Sequence, residues 1–281
     1  MKAEKKGWLA LLVFFVVTFG LALFCYLLDR SVTDRASKLL SVLQLLKGFS
    51  PAIGCIAARA AFREDFKSVG LLPTFTGRFR GYGLAVLLPV VMGVIAALVC
   101  AAMVGTSLSF KLYDGALDYA ANMLQASGAV YTGCILLLGE ELGFRGFLYE
   151  KLEKMCGLFG SLIVGGVLWG LWYVPEVLDG QYFGKSGAGM PYLGIPLMCI
   201  GCIFLGSMLV LVYKMTGSVW AAVLCRAVTE YLARPLQTTF LSSAHLTDKV
   251  MAVGISMLLI AAVPVAAFSV WRMRKLREGN K

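Results

Sequence analysis

Charge and histidine are what this sequence has least of. Only 15% of its 281 residues are Asp, Glu, Lys or Arg, and histidine occurs once, at His245. A soluble domain of this length carries roughly 25% charged residues, so the shortage excludes a water-soluble globular class. The surplus is apolar: 59% of residues are hydrophobic and the mean hydropathy is +0.80. Period-two alternation is also missing, which excludes a membrane β-barrel. Neither a linker, a low-complexity tract nor an internal repeat is present, so residues 1–281 read as one membrane domain. The missing repeat argues against a secondary transporter built from two related halves.

The first apolar run, "WLALLVFFVVTFGLALFCYLL" between Gly7 and Asp29, contains no charge. Its length matches the roughly 20 residues with which an α-helix crosses the hydrocarbon layer. It lacks the short core and small-residue cleavage site of a signal peptide and is expected to remain as a helix. Further runs lie at 39–58, 82–104, 119–139, 158–174, 192–213, 218–233 and 250–271. Backbone groups in lipid must be satisfied within their own segment. The expectation is therefore an all-α, polytopic transmembrane helix bundle of about eight spans.

Eight spans place both termini on one side. Basic residues concentrate there: Lys2, Lys5 and Lys6 precede the first span, and Arg272, Arg274, Lys275 and Arg277 follow the last. The positive-inside rule puts that side in the cytoplasm, of a bacterial membrane on this reading. Anionic membrane lipid accounts for the net charge of +10, and no nucleic-acid partner is implied.

The eight cysteines (25, 55, 100, 134, 156, 199, 202 and 225) lie in or beside apolar runs. They read as packing residues rather than a disulfide framework, which belongs to small secreted chains. "CIGC" at 199–202 lacks the second pair that a metal site would need. "GKS" at 184–186 is not a phosphate loop, because Asp179 stands where the first glycine belongs and no strand precedes it. Residues 63–81 form a basic segment expected at the membrane surface, and 176–191 a glycine-rich outer loop. Gly139-x-x-x-Gly143 and Gly166-x-x-x-Gly170 have the spacing of close helix packing, expected where the fourth and fifth spans meet.

Ionisable residues at bilayer depth mark a functional interior by default. Lys47 in the second span is read as snorkelling to the interface. The others are Glu140, Glu141 and Arg145 in "GEELGFRGFLYEKL", and Arg226 and Glu230 in the seventh span. Glu141 and Arg145 share a helical face, acid first, while Glu140 points about 100° away. One carboxylate can thus be held by Arg145 while its neighbour faces a cavity. Arg226 and Glu230 can pair in the same way. Buried salt bridges that only lock helices together are the competing account.

"EELGFR" resembles the EExxxR motif of the CAAX-processing and bacteriocin-processing membrane proteases, the type II CAAX prenyl endopeptidase-like (CPBP, Abi-like) family. "FSPAIGCIAAR" at 49–59 looks like that family's second span. "LWGLWYVP" at 168–175 and "GSVWAAVLCRAVTE" at 217–230 resemble its second and third motifs, in order, over about residues 40–235. The resemblance implies an eight-helix bundle with a polar cavity opening toward the cytoplasm. It also implies an intramembrane metalloendopeptidase in which a motif glutamate activates water and two histidines assist through a divalent metal such as zinc. Glu140, Glu141 and Arg145 fall on the first motif.

This sequence departs from the family at both histidines: Tyr173 holds the second-motif position, and Arg226 the third, with Glu230 where Asn or Asp is usual. Guanidinium has no lone pair for a metal, so no metal ligand is assigned and no cofactor expected. Arg226 is expected to neutralise Glu140 or Glu141 directly, with Tyr173 as a hydrogen-bonding replacement. His245 belongs to an outer loop, on the wrong side for this site. Three readings remain open. The chain is an active glutamate peptidase, a non-catalytic member that binds membrane peptides or a partner in export or immunity, or a transporter with a charged gate.

Overall fold

A computed structural model describes residues 2–32, 38–74, 76, 78–104, 133–185, 189–230 and 248–278, and these are helical apart from their connections. α1 (Lys2–Ser31) is followed by α2 (Lys38–Gly48) and α3 (Ser50–Ala61), which both pack on it. Pro51 stands at the second position of α3, where it removes one ladder N–H and crowds the preceding turn. The expected second span is accordingly a pair of helices bent by 51°.

α4 (Phe79–Val104) comes next. α5 (133–143) passes through a π-helical turn, Phe144–Leu148, into α6 (Tyr149–Trp172). A short α7 (Val174–Leu178) leads to α8 (Gly194–Thr216), α9 (Val219–Val228) and α10 (Asp248–Glu278). α8 is central, packing against α4, α6, α9 and α10.

Four helical stretches among the described residues are long and apolar enough to cross a membrane, and five if the bent α2–α3 pair is one span. The chain is therefore an all-α integral membrane protein, but the expected eight spans are not reached by this measure. α9 is too short, and much of the expected fourth span (119–132) lies outside the described residues. One stretch, Gly133–Trp172, also holds two arms rather than one. Gly157 has φ 72° and ψ −177°, open to glycine without a Cβ clash. Around it the chain reverses: Arg145 lies 4.0 Å from the Trp169 ring centroid, whereas a straight helix would separate these residues by about 36 Å. The expected loop between spans four and five is thus a helix that runs on past Glu150 before turning.

The two small-residue motifs have different partners, not each other. A Cβ at Gly139 or Gly143 would strike Gly48, Phe49 and Pro51 at the α2–α3 bend; one at Gly166 or Gly170 would strike Ile203 or Cys199 of α8. Each motif buries a backbone against a backbone, and Cys199 of "CIGC" is one of those packing residues. The described cysteines are free thiols.

The basic 63–81 segment docks on the bundle. Val219 N–H donates to Gly70 O at 2.9 Å, the Trp220 indole to Leu71 O at 2.8 Å, and Thr74 Oγ1 to Thr216 O at 2.6 Å. Arg59, which ends the 49–59 segment, is buried and donates to Gly146 O in the π turn at 3.0 Å and to Ser68 Oγ at 3.0 Å. His245 lies outside the described residues.

Candidate functional site

α5 delivers the two adjacent glutamates in opposite senses. Glu141 is fully buried and held within its own helix: Arg145 Nη1 donates to Oε1 at 3.2 Å, and Nε stands 3.1 Å from Oε2. Glu140 turns the other way and lines a cavity of about 740 Å³. The helical offset of about 100° between neighbours is the physical cause.

Tyr173 ends α6 and Arg226 stands near the end of α9, yet the fold brings both to Glu140. The Tyr173 hydroxyl donates to Glu140 Oε2 at 2.6 Å and accepts from Arg226 Nη2 at 2.7 Å. Arg226 Nη2 is also 3.9 Å from Glu140 Oε2 and 3.1 Å from Glu230 Oε1. Tyr173 therefore bridges an acid and a base, and Glu230 meets the same Nη2 nitrogen of that base. Ser218 caps α9 by accepting from Trp220 N at 3.3 Å, which fixes where the helix starts and hence where Arg226 points.

Trp169 ties the two halves together and carried no functional signal in the sequence. Its ring centroid lies 4.0 Å from the Arg145 guanidinium and 4.6 Å from that of Arg226. Cation–π attraction strengthens when the partners are desolvated, and all three residues are buried. A periodic scan sees only one more apolar residue in "LWGLWYVP".

Lys47 is not a snorkelling residue. Its ammonium pairs with Glu176 and lies 4.9 Å from the Trp172 ring centroid, inside the cavity. Lys47 stands at the end of α2, next to the 51° bend into α3, and faces the bundle interior. The cavity runs from Glu140 to Asp29 near the end of α1 and to Asp179 and Tyr182 beyond α7. It thus lies toward the end of the bundle opposite the start of α1.

The resemblance also implied a divalent metal, and the donors do not fit one. Arg226 offers no lone pair, and the Tyr173 hydroxyl is already engaged with both Arg226 and Glu140. Among the described residues no three His, Cys, Asp or Glu side chains are grouped to share an ion. A fixed guanidinium stands beside the glutamate where the resemblance calls for imidazole ligands.

Residues 122–232 match the family model described as type II CAAX prenyl endopeptidase Rce1-like. No curated protein matches the chain. The matched stretch contains Glu140, Glu141, Arg145, Tyr173, Arg226 and Glu230, while the 49–59 segment falls before it. Residues 122–232 thus carry a domain similar to the type II CAAX prenyl endopeptidase family, and the fold gathers all three of its motif positions on one buried charge network.

Proposed function

We propose that this protein is a peptide-binding member of its family in which the hydrolytic site has become a closed charge network. The observation that carries this reading is the Tyr173 hydroxyl bridging Glu140 at 2.6 Å and Arg226 at 2.7 Å. A general base needs a carboxylate free to take a proton from water, and acyl hydrolysis needs a positive or hydrogen-bonding centre free to meet the oxyanion. Here Glu140 already accepts a hydrogen bond, and Arg226 is engaged by Tyr173 and Glu230. Glu141 is buried against Arg145 and does not line the cavity. What remains is a membrane-embedded cavity with polar and aromatic walls, suited to holding a peptide or a segment of a partner protein.

A second reading is favoured by one observation: Glu140 does face the cavity. It would then act as the base of a metal-free peptidase, with Arg226 polarising the carbonyl. Purified protein incubated with apolar peptides separates the two. The expected outcome is no cleavage, together with about one equivalent of zinc bound by the Tyr173→His, Arg226→His double variant and none by the parent. Cleavage by the parent that disappears in Glu140→Ala would overturn the peptide-binding proposal, and solute flux in liposomes would point to a transporter.

A further inference from the structure

The cavity already holds one cation, supplied by the chain itself. Lys47 reaches in from the last turn of α2, with its ammonium against the Glu176 carboxylate and over the Trp172 ring. A carboxylate beside an aromatic face is an arrangement that recognises ammonium groups. The subsite is built rather than incidental: the Trp172 indole donates to Ser50 Oγ at 3.2 Å, and Tyr173 packs edge-on against Trp172 at 4.8 Å. Both Lys47 and Glu176 are largely buried.

The cavity leaves room beside the Glu176 and Trp172 subsite for a second side chain. Among the described residues, carboxylates elsewhere in the wall already have cations beside them: Arg226 meets Glu140 and Glu230, and Arg30 stands 3.6 Å from Asp179. About 740 Å³ is also far more space than one lysine side chain occupies, and falls in the range of ligand-binding cavities.

We propose that Glu176 and Trp172 form a subsite for a basic residue of a bound peptide, and that Lys47 is its tethered competitor. The inference rests on the peptide-binding reading above and names the chemistry of the occupant. When a peptide enters, its ammonium replaces that of Lys47, whose flexible stem swings aside. No bond is made or broken.

The test uses full-length protein in lipid nanodiscs and two fluorescent leucine–alanine peptides, one carrying a central lysine and the other norleucine. The lysine peptide is expected to bind about ten-fold more tightly, the scale of one desolvated cation–π and carboxylate contact. Lys47→Met should tighten the lysine peptide several-fold relative to the norleucine peptide, while Glu176→Gln should erase the discrimination. Equal binding of the two peptides overturns the cation subsite and leaves the peptide-binding reading standing. Weaker lysine-peptide binding by Lys47→Met overturns the competitor role, and binding of neither peptide overturns both proposals. The wild-type comparison decides the subsite without relying on any variant's folding.

Discussion

Arg226 shows how much one side chain can depend on its partners. Alone, a buried guanidinium would be very costly. Here it is answered by Glu230 at 3.1 Å, the Tyr173 hydroxyl at 2.7 Å and the Trp169 ring. Removing one member of such a network leaves the others buried and unpaired. Arg226→Ala is therefore expected to destabilise the protein by about 3–5 kcal/mol, measured by thermal unfolding in detergent. Tyr173→Phe keeps the ring and removes only the bridging hydroxyl, and should cost about 1–3 kcal/mol. If both variants unfold like the parent, the network contributes nothing to stability. Glu140, Glu141, Arg145, Tyr173, Arg226 and Glu230 could each be singled out from the sequence because charge is rare in this chain. Trp169 could not, since its role comes only from the two arginines that reach it.

At the scale of elements, glycine decides which helices touch. Gly166 and Gly170 let α6 meet the α8 backbone, and a Cβ at either would come within 3.0 Å of α8 atoms. Gly170→Leu is expected to lose about 1–3 kcal/mol through overpacking and to shift Trp169 and Tyr173, which flank the substituted position. Loss of quenching between fluorophores on α6 and α8 would report the separation, and unchanged quenching would show the helices are not held by this contact. The spacing of these glycines was legible in the sequence, whereas their partners were not. Each motif found a different surface because the reversal at Gly157 sends α5 and α6 along different neighbours.

At the scale of the molecule, the two ends of the bundle differ in chemistry. Arg277 near the C-terminus stands 3.8 Å from Glu153, so the Gly157 reversal and the end of α10 lie together. The acid-lined cavity lies toward the other end. Cys156, beside that reversal, is an exposed thiol. The positive-inside rule predicts that the basic termini face the cytoplasm; on that orientation a membrane-impermeant maleimide labels Cys156 in inside-out vesicles and not in right-side-out ones. Labelling of Cys156→Ser provides the background. The opposite pattern would invert the bundle and place the cavity mouth on the cytoplasmic side.

The sequence by itself determined the class of this protein and singled out the charged residues that the fold later gathers. Scarce charge and long apolar runs leave only membrane helices, and i,i+4 spacing alone predicts the Glu141–Arg145 and Arg226–Glu230 pairs. It also showed that Tyr173 and Arg226 stand where the family resemblance places histidines. Tertiary structure decided everything that depends on separate elements meeting. It turned Lys47 inward onto Glu176, set Trp169 beside two arginines, and joined Tyr173 to both Glu140 and Arg226. Those contacts link residues far apart in the chain, and local periodicity carries no information about which helix faces which. The bend at Pro51 and the reversal at Gly157 supply that information, because they fix the directions in which otherwise similar apolar helices run.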